Sequence, residues 1–348
     1  MKCFVAGVFS ALFLFSFAAN AERGSFDVER WYGLVDTVRA QAASQGISTK
    51  TINETFRNLA FVPSIVKSDK NQAEFKLTLD GYLQRTVNDK RVSDGVRARS
   101  MYPTLLSRVS ARYGVPAHVI LAFWGMESNY GAVKSRHKLT DAFFTLMYDG
   151  RREAFFTKQL LALMGIADKN KLDINDIYGS WAGAMGHFQF IPTTLAQYGV
   201  DGNKDGRIDI INSVGDAMFS AANYLNKLGW NQTERIVRQV VLPSDFDISL
   251  LDAKTRLPLA QWVSMGVANP DGSALPDTDI EAGLVADVAE IRARRDAAIT
   301  SAVASDVDIA PQPVIKAYLT YPNFYRIKKW NNSNWYAIAI AELADKLK

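Results

Sequence analysis

Hydrophobic residues recur every three to four positions along most of the chain, with charged or polar residues between them, and this spacing is typical of amphipathic helices. In the first such segment Leu34, Val38 and Ala42 share one face. The same pattern continues to about Arg112. It predicts an all-helical N-terminal region over residues 22–112.

A strongly apolar segment follows from Val115-Pro116 to about Asn129, with Pro116 suited to a first helical turn and Gly131 placed to end the helix. After Trp230 the pattern changes to short β-prone pieces between prolines. We therefore predict a mainly α fold, with a helical core over residues 113–235, a small irregular β subregion over 236–313 and a closing segment over 314–348. Within it we expect further helices at 141–146, 152–167, 214–228 and 333–347, strands at 236–242 and 259–263, and a helix and loop at 281–310.

The N-terminus has the features of a secretory signal peptide. Lys2 precedes an apolar run over residues 4–19, and Ala19-Asn20-Ala21 is a small-x-small cleavage signature. We predict removal of residues 1–21 and a periplasmic mature protein that starts at Glu22. The alternative is an uncleaved anchor, but the run is shorter than the ~20 residues that usually span a bilayer. No later segment predicts a membrane span, and the only cysteine, Cys3, precedes the run.

The composition is ordinary for a globular protein: 348 residues, 48% hydrophobic and 22% charged. It excludes disordered, collagen and coiled-coil classes. Forty Lys and Arg against 36 Asp and Glu give a net charge of +4. This excess is too small and too scattered to indicate nucleic acid as a partner.

One carboxylate lies in an unusual position. The apolar helix after Pro116 carries Ile120, Phe123 and Trp124 along one stripe, and Glu127 continues that stripe. Desolvation raises the pKa of a carboxyl, as a general acid requires. The alternative is a Glu at a frayed helix end that reaches water or Arg136.

A glycine- and alanine-rich run extends from Gly179 to Pro192. Its small residues permit close approach of backbones, and Ser180 and Gln189 add uncharged groups that can orient sugar hydroxyls and amides. The alternative is a tightly packed helix junction with no contact to a ligand.

The loop 201–216 resembles the first half of an EF-hand. Its oxygen donors at positions 1, 3, 5 and 7 are Asp201, Asn203, Asp205 and the carbonyl of Arg207. Position 12 is Asn212 instead of the bidentate Glu, and Asp216 is close enough to substitute. We expect a structural Ca²⁺ here; the alternative is a turn held by its own side-chain hydrogen bonds.

Four ordered motifs make the chain similar to the lytic murein transglycosylase B family. The motifs are Trp124-Gly125-Met126-Glu127-Ser128-Asn129-Tyr130-Gly131, Ala182-Gly183-Ala184-Met185-Gly186, Gln189-Phe190-Ile191-Pro192, and the set Tyr321-Pro322-Asn323-Phe324, Ile327, Trp330-Asn331 and Tyr336-Ala337. The resemblance implies an exported enzyme that cuts the glycan strands of peptidoglycan, with a lysozyme-like helical core and Glu127 as its single catalytic carboxyl.

The resemblance also assigns residues around the substrate. It implies sugar contacts by Ser180, Gln189 and Asn331, an aromatic lining by Tyr336, and an arginine pair, Arg151 and Arg152, beside the site. That pair could bind the acidic peptide stem or stabilise a helix start. Phe155 and Trp330 stand where relatives can carry Tyr, so we expect each to lose a hydroxyl hydrogen bond and keep a stacking face. Residues 281–310 resemble an insertion relative to the family.

The predicted function is a lytic transglycosylase that cleaves the β-1,4 bond between N-acetylmuramic acid and N-acetylglucosamine. Glu127 acts as acid and then as base, gives 1,6-anhydro-muramyl products and needs no cofactor. Cell-wall synthesis or remodelling proteins are candidate partners. The alternatives are a muramidase that uses water, and a silent peptidoglycan-binding protein, although a pure binder has no reason to bury a carboxylate.

Overall fold

The structure, a computed structural model, describes residues 26–71, 77–133, 135–305 and 315–348. The predicted signal peptide, residues 1–21, and the last residues of the 281–310 segment lie outside this part. The described helices are α1 (Val28–Ser44), α2 (Thr49–Arg57), α3 (Pro63–Lys70), α4 (Leu79–Thr86), α5 (Asp89–Met101), α6 (Pro103–Tyr113), α7 (Ala117–Ser128), α8 (Leu139–Asp149), α9 (Glu153–Asn170), α10 (Pro192–Tyr198), α11 (Val214–Lys227), α12 (Leu259–Ser264), α13 (Val288–Ser305), α14 (Pro322–Trp330) and α15 (Asn334–Lys346). The strands are β1 (His137–Lys138), β2 (Tyr178–Gly179), β3 (Val237–Leu242), β4 (Leu257–Pro258), β5 (Glu281–Val285) and β6 (Ile315–Thr320).

The N-terminal helices begin at side-chain caps that the sequence supplies. Ser48, Thr78 and Asn88 accept hydrogen bonds from backbone N–H groups in the first turns of α2, α4 and α5. The inner faces of these helices pack into the same hydrophobic core as α7, and Val38 and Ile120 are both at most 1% exposed. The N-terminal helices and the predicted helical core therefore share one hydrophobic core.

Helix α7 runs through the centre of the helical core. Its residues 119 to 125 are all buried, and it contacts α5, α6, α11 and α15. Pro116 lies one residue before the helix, and Asn129, not Gly131, ends it in a left-handed conformation with φ 48°. The burial of nearly every side explains why the segment is apolar almost without interruption.

The small β subregion has its own hydrophobic core. Its sheet has the order β3-β6-β5-β4 with antiparallel neighbours, and Val237 of β3 pairs with Thr320 of β6. Leu242, Leu284 and Leu319 lie in a buried cluster beneath it. Because β6 belongs to this sheet, the predicted boundary between residues 313 and 314 does not separate two structural units.

Two local predictions in this subregion are wrong. Residues 259–263 form α12 instead of a strand, because a short apolar run does not by itself distinguish a buried helix from a strand. The 281–310 segment begins with β5, an interior strand whose last four residues are all buried, so its first residues belong to the sheet. The helix expected in the segment is present as α13.

The chain returns from β6 into the helical core through α14 and α15. Helix α15 packs along α7 and carries eight buried residues. No helix in the described ranges combines the length and the hydrophobicity that a bilayer crossing requires.

Candidate active site

Glu127 lies in the last turn of α7, where its side chain is half-buried. Burial raises the pKa of this carboxyl from its ordinary 4.5 to about 7. Two neighbours lower the pKa against this effect. The Tyr336 hydroxyl donates a hydrogen bond to Glu127 Oε1, and the Trp330 indole lies near the same carboxyl. The group can thus hold a proton near neutral pH and has donors that stabilise its ionised form.

Tyr336 is suited to remain a donor. It is 4% exposed in the first turn of α15, and its backbone N–H donates to the capping hydroxyl of Ser333 at 3.3 Å. Burial and the neighbouring Glu127 raise the pKa of its phenol well above the ordinary value. The hydroxyl therefore stays protonated and keeps donating to Glu127 over the working pH range.

Trp330 closes one side of this carboxyl with an aromatic cluster. Its ring lies 4.8 Å from Phe123 of α7, 5.3 Å from Phe190 and 5.0 Å from Tyr224 of α11, measured between centroids. The ring presents an aromatic face at this position, and the indole lies close enough to Glu127 to lower the pKa of its carboxyl. The expected loss of a hydroxyl hydrogen bond to the substrate stays a prediction.

Tyr82 is a further group near Glu127, and the sequence reasoning did not predict it. It lies on α4 and is half-buried, and both burial and the Glu127 charge raise the pKa of its hydroxyl. No motif marks α4. Its approach to α7 depends on packing between distant segments, so no local signal could have identified it.

The glycine-rich run forms a compact turn beside the aromatic cluster. Ser180 Oγ accepts the backbone N–H of Ala184 at 3.0 Å, and Gln189 Nε2 donates to the Gly186 carbonyl at 2.9 Å. Gln189 itself has a left-handed backbone, with φ 48°. The ring of the next residue, Phe190, contacts Trp330 and so holds this turn close to Glu127.

Asn331 lies at the end of α14, directly after Trp330. It is exposed, and its carbonyl accepts the backbone N–H of Ser333 at 2.8 Å. The residue therefore stands at the surface between the aromatic cluster and the start of α15, which carries Tyr336.

The arginine pair makes contacts with α3 and α8. Arg151 and Arg152 both form ion pairs with Asp69, whose side chain is only 4% exposed, and Arg151 Nε also bonds Asp149 at 3.0 Å. These contacts support the helix-start alternative, because they tie the two residues immediately before α9 to α3. Phe155, 42% exposed, packs edge-on against Phe156 on the same helix.

The loop 201–216 is wrapped by hydrogen bonds from its own backbone. Asp201 accepts from the N–H groups of Asp205 at 3.2 Å and Gly206 at 2.8 Å, and Asp205 accepts from that of Arg207 at 2.9 Å. Within the described ranges, no three His, Cys, Asp or Glu side chains converge as a metal site. The oxygen donors fit a hard cation such as Ca²⁺ in kind, and two of them are carboxylates.

Asp216 has a different position from the other acids of the loop. It is fully buried, and its carboxylate accepts the backbone N–H groups of Gly202 at 2.9 Å, Asn203 at 3.2 Å and Asp209 at 2.8 Å. These bonds hold the two halves of the loop together. The sequence did not indicate this structural role.

Comparison with known proteins decides the family. The Transglycosylase SLT domain pattern matches residues 31–345. This chain belongs to the transglycosylase SLT domain family. The match confirms the predicted resemblance, and the helices described above confirm the predicted mainly α fold.

Several relatives place the chain within this family. It is 27% identical over 274 residues to the membrane-bound lytic murein transglycosylase B of Escherichia coli K12, covering 75% of this chain and 65% of that protein. The chain thus spans less than two thirds of the length of that relative. SltB3 from Pseudomonas aeruginosa in complex with NAG-anhNAM-pentapeptide is 36% identical, with a TM-score of 0.80 over 91% of this chain and 79% of that one. The Escherichia coli lytic transglycosylase Slt35, in complex with calcium, is 24% identical and shares the fold, with a TM-score of 0.73 over 91% and 92% of the two chains.

Proposed function

We propose that this protein is a lytic transglycosylase that cleaves the β-1,4 bond between N-acetylmuramic acid and N-acetylglucosamine in peptidoglycan. One observation carries the proposal: Glu127 combines a pKa raised to about 7 by burial with a hydrogen bond from the Tyr336 hydroxyl and the nearby Trp330 indole. A carboxyl with this pKa can give a proton and take one back near neutral pH. Membership of the family and the glycan fragment bound to SltB3 support the same substrate class.

Glu127 acts twice in the proposed reaction. It first protonates the oxygen that bridges the two sugars, so that the bond from this oxygen to C1 of the muramic acid breaks and N-acetylglucosamine leaves with a free 4-hydroxyl. The N-acetyl carbonyl of the muramic acid stabilises the positive charge that develops at C1. The Tyr336 hydroxyl and the Trp330 indole then stabilise the carboxylate that remains. This carboxylate takes the proton of the C6 hydroxyl, whose oxygen attacks C1 and forms a 1,6-anhydro ring.

The competing muramidase mechanism needs a second carboxylate to act as nucleophile or to activate water. Asp141 and Asp149 are the nearest downstream acids in the sequence. Asp141 pairs with Lys138 at 3.7 Å, and Asp149 pairs with Lys70 at 3.4 Å. Each acid is paired with a lysine, and among the described residues no hydrogen bond joins either of them to Glu127, which supports the single-carboxylate mechanism.

The remaining sugar contacts are part of the same proposal. Gln189, Ser180 and Asn331 offer hydroxyl and amide groups on the two segments that flank Trp330, and such groups suit a neutral glycan. Arg151 and Arg152 keep about half of each side chain exposed while they bind Asp69. The exposed part could reach an acidic peptide stem, and Phe155 offers a ring beside it.

The proposal is tested by Glu127→Gln. The amide keeps the shape of the side chain but cannot transfer a proton, so glycan binding should persist while turnover is lost. Glu342→Gln is a matched control, because Glu342 is also half-buried and lies on α15. Turnover by Glu127→Gln above a few per cent of the wild-type rate would assign the acid to another residue.

We also propose a structural Ca²⁺ bound by Asp201, Asn203, Asp205 and the Arg207 carbonyl. A cation that binds only the folded state stabilises it, by about 2.7 kcal/mol at 100 times its Kd. Calcium should therefore raise the melting temperature, and Asp201→Ala combined with Asp205→Ala should remove the response. An unchanged melting curve across millimolar calcium would leave the loop as a turn.

A variant of Asp216 distinguishes a structural role in the loop from a role as a calcium ligand. Asp216→Asn should lower stability with or without calcium, because it weakens the hydrogen bonds to buried backbone N–H groups. If Asp216 is also a ligand, the variant should in addition lose the response to calcium.

For localisation we propose export, cleavage before Glu22 and a periplasmic mature enzyme that works with other cell-wall synthesis or remodelling proteins. The small-x-small signature at residues 19–21 supports the cleavage site. Sequencing of the N-terminus of the protein recovered from the periplasm should begin at Glu22. An intact N-terminal segment in the membrane fraction would contradict this.

A further inference from the structure

Arg91 of α5 connects two helices that carry groups of the site. Its Nε and Nη2 donate to Asn129 Oδ1 at 3.0 and 2.7 Å, and its Nη1 donates to the carbonyl of Thr86. Asn129 ends α7, and Thr86 is the last residue of α4. One half-buried guanidinium therefore spans the C-terminal ends of α4 and α7.

This location suits a cation on two counts. The C-terminal carbonyls of a helix lack partners within it, and Arg91 supplies a donor to that of Thr86. The C-terminal end also carries partial negative charge, which a nearby cation stabilises. Arg91 makes such contacts at the ends of both α4 and α7, so it constrains the position of one helix end relative to the other.

A second contact reinforces the first through the backbone of the same residue. The Tyr130 hydroxyl donates to the Arg91 carbonyl at 3.0 Å. The hydroxyl also lies over two glycines, Gly95 of α5 and Gly125 of α7; a Cβ at Gly125 would approach the Tyr130 oxygen to 2.6 Å. Helices α5 and α7 are thus held in close contact next to the last turn of α7.

The two joined helices bring together Tyr82, on α4, and Glu127, on α7. Glu127 lies two residues before Asn129, and the left-handed conformation of Asn129 directs its amide towards Arg91. A shift of α4 relative to α7 would move the Tyr82 hydroxyl away from the carboxyl. Displacements near 1 Å at a reacting group can cost about 100-fold in rate.

We propose that Arg91 is a positioning residue for Glu127, acting through Asn129 and Thr86 to fix α7 against α4. The inference rests on the proposed function, in which Glu127 is the acid. Arg91 has no role in transferring the proton.

Two variants test the link from its two ends. Arg91→Lys keeps the charge but replaces the planar guanidinium that directs two N–H groups to one oxygen. Asn129→Gly keeps the left-handed backbone, which glycine favours, and removes the amide. Each should lower kcat roughly tenfold and leave KM within about twofold, because the change affects the geometry of the reacting group more than glycan binding.

The double variant measures whether the two residues act as one unit. Arg91→Lys with Asn129→Gly should lower kcat no more than about twofold beyond the worse single variant. Arg97→Lys is the matched control on α5, since Arg97 is exposed and pairs with Asp94 at 3.5 Å. Its kcat and KM should equal those of the wild type when measured well below the melting temperature.

The proposal is overturned if both single variants keep kcat within about twofold of the wild type, even if their melting temperatures fall. If Arg91→Lys does not fold, Asn129→Gly decides alone. Glu127→Gln, measured in parallel, distinguishes failure of the proposed function from failure of the positioning role. Turnover by that variant refutes Glu127 as the acid. An inactive Glu127→Gln beside fully active Arg91 and Asn129 variants refutes only the positioning role.

Discussion

The desolvated carboxyl of Glu127 should make the protein less stable as the pH rises, and Glu127→Gln should remove this loss of stability. In the unfolded chain the carboxyl ionises near 4.5, whereas in the folded protein burial holds its pKa at about 7. The folded state therefore binds this proton more tightly. The free energy that this bound proton contributes to folding is complete below about pH 4.5. It declines as the pH rises from 4.5 through about 7 and is absent above that.

The magnitude follows from the two pKa values. The difference between about 7 and 4.5 corresponds to about 3 kcal/mol, at ~1.36 kcal/mol per pKa unit. Glutamine does not ionise, so the variant does not lose this stability as the pH rises. The free energy of unfolding of Glu127→Gln minus that of the wild type should therefore be about 3 kcal/mol larger at pH 8 than at pH 4.

Urea denaturation at pH 4, 6 and 8 measures the effect. The relevant quantity is the difference between Glu127→Gln and wild type at each pH, because all other titrating groups cancel in it. Glu342→Gln again serves as control. A difference that stays constant from pH 4 to pH 8 would refute the raised pKa and with it the physical basis for Glu127 as the acid.

Three further changes test the surroundings of the site. Tyr336→Phe removes a donor to the carboxylate, so the pKa of the acid should rise further, and the alkaline limb of the kcat/KM profile should move up by about 1 to 2 pH units; an unmoved limb would contradict the hydrogen bond. Gly125→Ala should destabilise the fold by roughly 1 to 3 kcal/mol in urea denaturation, because its Cβ would meet Tyr130. Gly33→Ala, with no neighbouring atom within 4 Å, should not destabilise it. Asp69→Asn should cost about 2 kcal/mol and leave kcat unchanged if the arginine pair only anchors α9; a lower kcat or a higher KM at full stability would assign the pair to the substrate.

Much of the helical core could be predicted because its local signals are strong. The apolar stripe that ends at Glu127 is continuous, and the structure agrees that burial raises the pKa of that carboxyl. Trp330 and Tyr336 could be placed beside it only through the family resemblance, because both lie on helices near the C-terminus. Nothing in the spacing of residues 322–346 indicates that they meet α7.

The remaining features depend on long-range packing. Tyr82 and Arg91 lie in a region without motifs, and their relevance appears only when α4 and α5 meet the end of α7. The assignment of residues 259–263 as a strand failed because helix and strand share short apolar runs. The sheet could not be completed from the sequence, because β5 and β6 are buried on both faces and lose the alternation that marks an exposed strand.

The central claim is that one carboxyl performs both proton transfers and that the C6 hydroxyl attacks C1 in place of water. It is tested most directly by whether oxygen from the solvent enters the product. Purified peptidoglycan should be digested in heavy-oxygen water and the released sugars analysed by mass spectrometry. The account predicts 1,6-anhydro-muramyl ends that carry no label. Labelled reducing ends, heavier than the anhydro form by one molecule of heavy-oxygen water, would contradict it and identify the enzyme as a muramidase.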